Sequence, residues 1–227
     1  MALLAMGAAL AFAACGKDDD NNTGGTGTET AEWVDLGLPS GLLWAKCNLG
    51  ATSPEEYGDY YAWGETTTKE VYDWSTYKYC TVDAEGGLGT LTKYNTSSGY
   101  GAPDNLTTLE AMDDAATQKL GSGARLPTQV DWEELIDNTT AEWTTLNGVN
   151  GRKFTASNGK SLFLPAAGGR GDGELYYAGE YGCYWSSSLY EYPYLAWRFV
   201  FDEGLQGMFG SSDRIRGQSV RAVRSQN

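Results

Sequence analysis

The chain contains no histidine. That removes the commonest general base near neutral pH, the commonest zinc ligand and the Ser-His and Cys-His nucleophile pairs. Catalysis by carboxylates alone stays open, so the absence weakens enzymatic readings without ending them. Positive charge is scarce: 16 Lys and Arg against 30 Asp and Glu leave a formal net charge of −14. A surface of that sign repels nucleic-acid phosphate and anionic membrane, so nucleic acid is not an expected partner. Proline is sparse, at 6, and apolar periodicity of helical length is rare, whereas glycine reaches 30 and aromatic residues 13%. This combination predicts many short strands and turns, not a helical bundle.

Residues 1–14 carry no charged side chain and are mostly apolar. The run is too short to span a bilayer and fits the core of a signal peptide. Ala13 and Ala14 then precede Cys15 in a pattern similar to a lipobox, in which the cysteine is acylated and becomes the mature N-terminus. Phe12 departs from the usual leucine, and an ordinary leader with an incidental cysteine is the alternative. Gly16-Lys17-Asp18-Asp19-Asp20 resembles the signal after the acylated cysteine in surface-exported lipoproteins of gut anaerobes; the alternative is a solvated charge run. Asn21 to Thr30 reads as a flexible tether. The expected organisation is a signal peptide at 1–14, a lipidated cysteine and polar tether at 15–31, and one ligand-binding domain at 32–227. The expected location is the outer membrane at the cell surface, with membrane contact only through the lipid. Of the remaining cysteines, Cys47, Cys80 and Cys183, two can form a disulfide; spacing does not choose the pair, and Cys47–Cys80 is the first candidate.

Within the domain, Val34 to Leu38 and Leu42 to Ala45 read as strands, and residues 64–105 as a long irregular excursion. Thr107 with Glu110 fits a capping box opening a helix with Leu109, Met112, Ala116 and Leu120 on its apolar face and Gly121 and Gly123 at its end. Thr128 caps a second helix with Val130, Leu135 and Ile136 inward. Asn158-Gly159 between two strand-like runs predicts a hairpin. In Ala196 to Asp202, alternation sends Trp197, Phe199 and Phe201 to the core and Arg198, Val200 and Asp202 to the other face. Gln218 to Arg224 reads as a final strand.

Five segments together resemble the FISUMP (major paralogous domain) family and its C-type-lectin-like relatives. They are Leu38-Pro39-Ser40-Gly41-Leu42-Leu43-Trp44-Ala45, Tyr61-Ala62-Trp63-Gly64-Glu65, Ala124-Arg125-Leu126-Pro127-Thr128 with Asp131-Trp132, Tyr184-Trp185-Ser186-Ser187-Ser188 and Arg221-Ala222-Val223-Arg224. The resemblance implies an α+β, C-type-lectin-like domain with two helices, twisted antiparallel strands and long loops. It implies no single activity. Formylglycine-generating enzymes of the same fold use a late cysteine pair, and only Cys183 lies late here. The Glu-Pro-Asn and Trp-Asn-Asp calcium loops of sugar lectins are absent. Tyr184 to Ser188 and Gly217 to Arg221 also resemble the fixed frames of variable proteins diversified by retroelements, with the irregular Gly204 to Arg216 between them; an ordinary loop of the family is the alternative.

Twelve of the 34 residues from Tyr176 to Phe209 are aromatic, and exposed aromatics on a rigid frame favour binding. The candidate ligand-binding residues are Tyr190, Tyr192, Tyr194, Leu195, Arg198, Val200, Asp202, Leu205, Met208, Phe209, Ser211, Ser212, Asp213, Ile215 and Arg216. The partner is expected to be a protein or a glycan; no catalytic residue, cofactor or metal is expected. An enzyme of the formylglycine-generating type and a tip subunit of a surface fibre are the alternatives. Arg170-Gly171-Asp172 is an integrin-type tripeptide that is common by chance. Glu65 is one carboxylate without a visible partner for glycoside hydrolysis. Ser186 to Ser188 are expected to satisfy backbone groups, Arg125 to be a buried structural arginine, and Trp63, Trp132, Trp185 and Trp197 to be core.

Overall fold

The computed structural model describes residues 30–226 except Ser122 and Phe209. Cys15, the leader before it and Phe209 lie outside the described residues. The expected α+β, C-type-lectin-like class is corrected: the described residues are 36% strand and 12% helical, in several small sheets. Both helices are short: Gly121 ends the first at φ +87°, and a strand begins at Thr139, two residues after the second ends at Asp137.

The strands open with β1 (Trp33–Asp35), β2 (Leu43–Ala45) and β3 (Tyr60–Tyr61). The excursion that follows holds only the hairpin β4 (Cys80–Val82) and β5 (Leu88–Leu91) and single 3-10 turns. Next come α1 (Ala115–Leu120), β6 (Ala124–Arg125) and α2 (Gln129–Asp137), then the meander β7 (Thr139–Leu146), β8 (Val149–Ala156) and β9 (Ser161–Pro165). The rest is β10 (Gly169–Gly171), β11 (Glu174–Tyr176), β12 (Gly182–Leu189), β13 (Leu195–Phe201), β14 (Gln206–Gly207), β15 (Ser211–Asp213), β16 (Gln218–Ser219) and β17 (Val223–Arg224).

The largest sheet runs β14-β13-β12-β16-β3, with β15 also on β13; a second runs β1-β2-β17-β6. The largest sheet separates two cores. On one face, Tyr184, Phe199 and Phe201 pack with Trp132 and Leu135 of α2 and with Trp44 and Phe154. On the other, Trp185 and Ala196 join Tyr61, Trp63 and Tyr94. That second core covers only the Trp185 end of the face and leaves the Cys183 end open.

Several expectations change. The first helix starts at Ala115, not near Thr107, and Asp114 accepts from Thr117 N at its cap. Met112 is 65% exposed and Val130 68%, so neither is core. Trp197 is only partly buried, and Ala196 takes the fully buried place beside it. The terminal strand splits into β16 and β17, in different sheets. Cys80 and Cys183 are free thiols, and Cys80 Sγ donates to Trp74 O at 3.3 Å, which removes the Cys47–Cys80 bridge. Arg125 is half-exposed in its pair with Asp131, while the deeply buried arginines are Arg214 and Arg221. Trp63, Trp132 and Trp185 are fully buried as expected. Ser186 Oγ accepts from Ser188 N, and Ser188 Oγ from Gln129 N.

One buried carboxylate ties the excursion to the 3-10 turn Ala111–Asp113 just before α1. Asp113 is 2% exposed and accepts from Lys93 Nζ at 2.5 Å, Tyr94 Oη at 2.7 Å, Lys78 Nζ at 3.3 Å and Tyr79 Oη. Burial alone would raise its pKa; the bonds from Lys93, Tyr79, Tyr94 and Lys78 outweigh it and lower the pKa from 3.8 to about 2. Because the folded pKa is depressed, the stability it contributes is complete above pH 3.8 and is lost as pH falls toward 2. Asp113→Asn is therefore expected to cost about 2 kcal/mol above about pH 5 and progressively less below about pH 4. Urea unfolding of both proteins across that range measures the gap; a constant gap contradicts this account.

Candidate functional site

The open end of the sheet face becomes a site because a hairpin stands beside it. β10 and β11 are joined by Asp172 and Gly173, both left-handed, with φ of +52° and +84°. Gly168 begins the hairpin at φ +66°, and a Cβ there would lie 2.1 Å from Tyr176 O, so only glycine fits. Arg170 N donates to Gly217 O at 2.7 Å and Gly217 N to Arg170 O at 2.9 Å. These two bonds fix the hairpin against the approach to β16.

Between the hairpin and the outer face of β12 and β13 lies an open pocket of about 400 Å³. Arg198 and Cys183 line it from the sheet, Ser212 and Arg216 from β15 and the turn after it, and Gln218 from β16. Arg170, Asp172, Tyr176 and Tyr177 line it from the hairpin. Arg216 Nη1 meets Asp172 Oδ2 at 2.9 Å, both exposed. The Arg170 guanidinium carbon sits 5.3 Å from the Tyr60 ring centroid. Arg198 Nη1 lies 3.9 Å from Cys183 Sγ, and its buried Nε has no partner. Burial pushes the Cys183 thiol pKa up, with Arg198 opposing. Burial likewise raises the Asp213 carboxyl, against the pull of Arg216 and Arg198. Gln218 is buried, and its Oε1 is unpartnered. Among the described residues, no group of three His, Cys, Asp or Glu side chains could hold a metal ion.

No family model, curated protein or solved structure matches this chain.

The candidate residues fall in three places. Arg198, Ser212 and Arg216 line the pocket. Tyr190, Tyr192 and Tyr194 form an aromatic patch in the loop between β12 and β13. Tyr192 there is 51% exposed and stacks on Tyr194 at 6.0 Å, while Tyr190 meets Trp197 edge-on at 4.7 Å. Leu195 and Asp213 face each other in the β13–β15 pair next to that patch, and Ser211 pairs with Trp197. Val200, Asp202 and Leu205 lie at the far end of β13, where Arg152 holds Asp202 O and Glu203 O at 2.8 and 3.0 Å.

Two of these residues contribute to the cores. Ile215 is 4% exposed within the core around Trp63, and Met208 packs against the core around Trp132. The irregular stretch before residue 217 conceals both, because its core positions follow neither helical nor strand spacing. Sequence reading also missed Arg170, Tyr176, Tyr177, Cys183 and Gln218 as pocket residues. The integrin-type tripeptide did draw attention to Arg170 and Asp172, but the pocket engages both. Glu65 is buried, pairs with Lys69 at 2.9 Å and accepts from Lys78 N at 2.8 Å, a structural role.

Proposed function

We propose that this domain is a binding module, of adhesin or receptor type, that captures a protein or glycan ligand through its C-terminal strands and loops. The observation that carries the reading is the pocket in which Arg170, Arg198 and Arg216, from three separate segments, converge under exposed tyrosines in a chain of net charge −14. Concave sites with a few polar groups and aromatic walls are the usual form of a ligand pocket. The motifs shared with the FISUMP family agree with a scaffold role and supply no activity of their own. The apolar leader and Cys15 support export and lipid anchoring at the outer surface of the cell. Among the described residues no helix is long and apolar enough to cross a membrane. In the same reading, diversification of the C-terminal stretch acts on Ser211, Ser212, Asp213 and Arg216, which are partly exposed, and spares buried Arg214 and Ile215.

The test is capture by the immobilised mature chain on glycan and extracellular-protein arrays. Arg198→Gln combined with Arg216→Gln is expected to weaken capture at least about ten-fold and to move Tm by less than about 2 °C. Arg216 is exposed, and the Arg198 Nε leaves no partner behind. An array with no specific capture, or capture indifferent to both arginines, overturns the proposal.

A further inference from the structure

We infer that the pocket receives a carboxylate-bearing sugar ring, of the hexuronic-acid kind; this inference rests on the binding-module reading above. The first step is charge. Three arginines line the pocket against one aspartate, Asp172, in an acidic chain. Among the described residues only Arg216 has an ion pair there. Arg170 is left over the Tyr60 ring, and Arg198 has a thiol at 3.9 Å and a buried, unpartnered Nε. Guanidinium N–H groups that lack a carboxylate partner are completed by an anion. The planar guanidinium fork matches a carboxylate bidentately, which a lysine ammonium would not.

The second step is the uncharged part of the ligand. Gln218 is 1% exposed, lines the pocket and has a side-chain oxygen with no donor. An acceptor in that position calls for a ligand O–H or N–H, which inorganic sulfate lacks. The third step is shape. Tyr176 and Tyr177 are exposed and line the pocket, and a tyrosine ring is a flat apolar surface suited to the C–H side of a sugar ring. A volume of about 400 Å³ lies at the small end of ligand pockets and suits one or two rings. A carboxylate, hydroxyl donors and one apolar ring face occur together in an acidic monosaccharide.

Calorimetric titration of the mature chain with D-glucuronate, D-glucose and sodium sulfate tests this. Glucuronate is expected to bind at least about ten-fold more tightly than either of the others, and to weaken as salt rises. Arg198→Gln is expected to lose at least about ten-fold in glucuronate affinity, and Arg198→Lys, which keeps the charge but not the fork, to recover only part of it. A melting curve alongside each variant separates a lost contact from a lost fold. Glucose binding as well as glucuronate, sulfate binding as well as glucuronate, or no glucuronate binding at all overturns the inference. If array capture still depends on Arg198 and Arg216 in that event, the binding module stands and only the acidic sugar falls. If capture is also absent, both fall.

Discussion

Replacing Arg214 by leucine is expected to destabilise the domain by about 3–5 kcal/mol, whereas Arg216→Ala, two residues later, should cost no more than about 0.5 kcal/mol. Arg214 is fully buried. Its Nε donates to Tyr77 Oη at 2.8 Å, its Nη1 to Tyr94 O at 3.1 Å and Pro193 O at 2.8 Å, and its Nη2 to Lys93 O at 3.0 Å. The rings of Trp63, Tyr77 and Tyr94 surround the guanidinium carbon at 5.0, 5.3 and 5.7 Å. The charge is thus held by carbonyl dipoles and ring faces, and it makes no ion pair among the described residues. That distinction fixes the sign. A buried ion pair can often be replaced whole by apolar residues without loss, because both charges leave together. Here three of the four partners are backbone carbonyls that no substitution removes. Leucine would strand three of them, at about 1–3 kcal/mol each before water or local movement recovers part. Arg214→Lys should recover less than half, since one ammonium cannot span all three carbonyls. Urea unfolding with an unchanged m-value measures the loss. A cost below about 1 kcal/mol would mean that water takes the place of the guanidinium.

The same residue explains why a long segment with little regular structure stays ordered. Lys93, Tyr94 and Tyr77 belong to the excursion after β3, and Pro193 belongs to the aromatic loop between β12 and β13. One side chain from the C-terminal stretch fastens both. Asp113 also holds the excursion, through Lys93, Tyr79 and Tyr94. Part of the C-terminal stretch is therefore scaffold, and the rest is available for contact.

Short-range signals in the sequence were reliable. Thr128 caps α2, Gly121 ends α1 and Asn158-Gly159 turns a hairpin, because each is decided by the φ, ψ and hydrogen bonds of a few neighbouring residues. Phe199 and Phe201 are buried and Arg198 faces the pocket, because alternation along a strand is equally local, but Trp197 leaves the pattern where the β12–β13 register shifts. What failed was competition from distant partners. Thr107 and Glu110 carry a capping-box pattern, yet Leu189 N donates to Thr107 O at 2.8 Å and Leu109 N to Ser187 O at 3.0 Å. Those bonds make the segment an edge of β12 before a helix can start. Val130 lies outside because Trp132 and Leu135 already fill the inner side of a nine-residue helix. The terminal strand breaks where Arg221 turns in to Asn48 Oδ1, Ala45 O and Lys46 O, leaving its two halves in different sheets. The pocket was half legible for the same reason. Arg198 sits in the aromatic-rich stretch and Ser212 and Arg216 in the irregular stretch that ends at Arg216, but Arg170 reaches them through a bridge to Gly217 that no local pattern encodes.

Trp132→Ala is the second large effect, expected at about 3–5 kcal/mol and a fall in Tm of roughly 10–15 °C. Trp132 is fully buried between α2 and the largest sheet, with the Trp44 and Phe199 rings at 4.8 Å and Tyr184 at 5.9 Å. Its Nε1 donates to Trp185 O at 3.4 Å. Truncation opens a cavity among residues of β2, β12 and β13, which belong to two different sheets, so inward collapse cannot fill it cheaply. Val130→Ala, on the exposed side of the same helix, should stay within about 0.5 kcal/mol. The variant also separates stability from recognition. Phe199 points to Trp132, while Arg198, its neighbour on β13, points to the pocket on the opposite face. Ligand capture measured well below the lowered Tm should therefore persist in Trp132→Ala and disappear in Arg198→Gln with Arg216→Gln. Equal loss of capture in both would mean that packing on one face of the sheet sets the arginine geometry on the other.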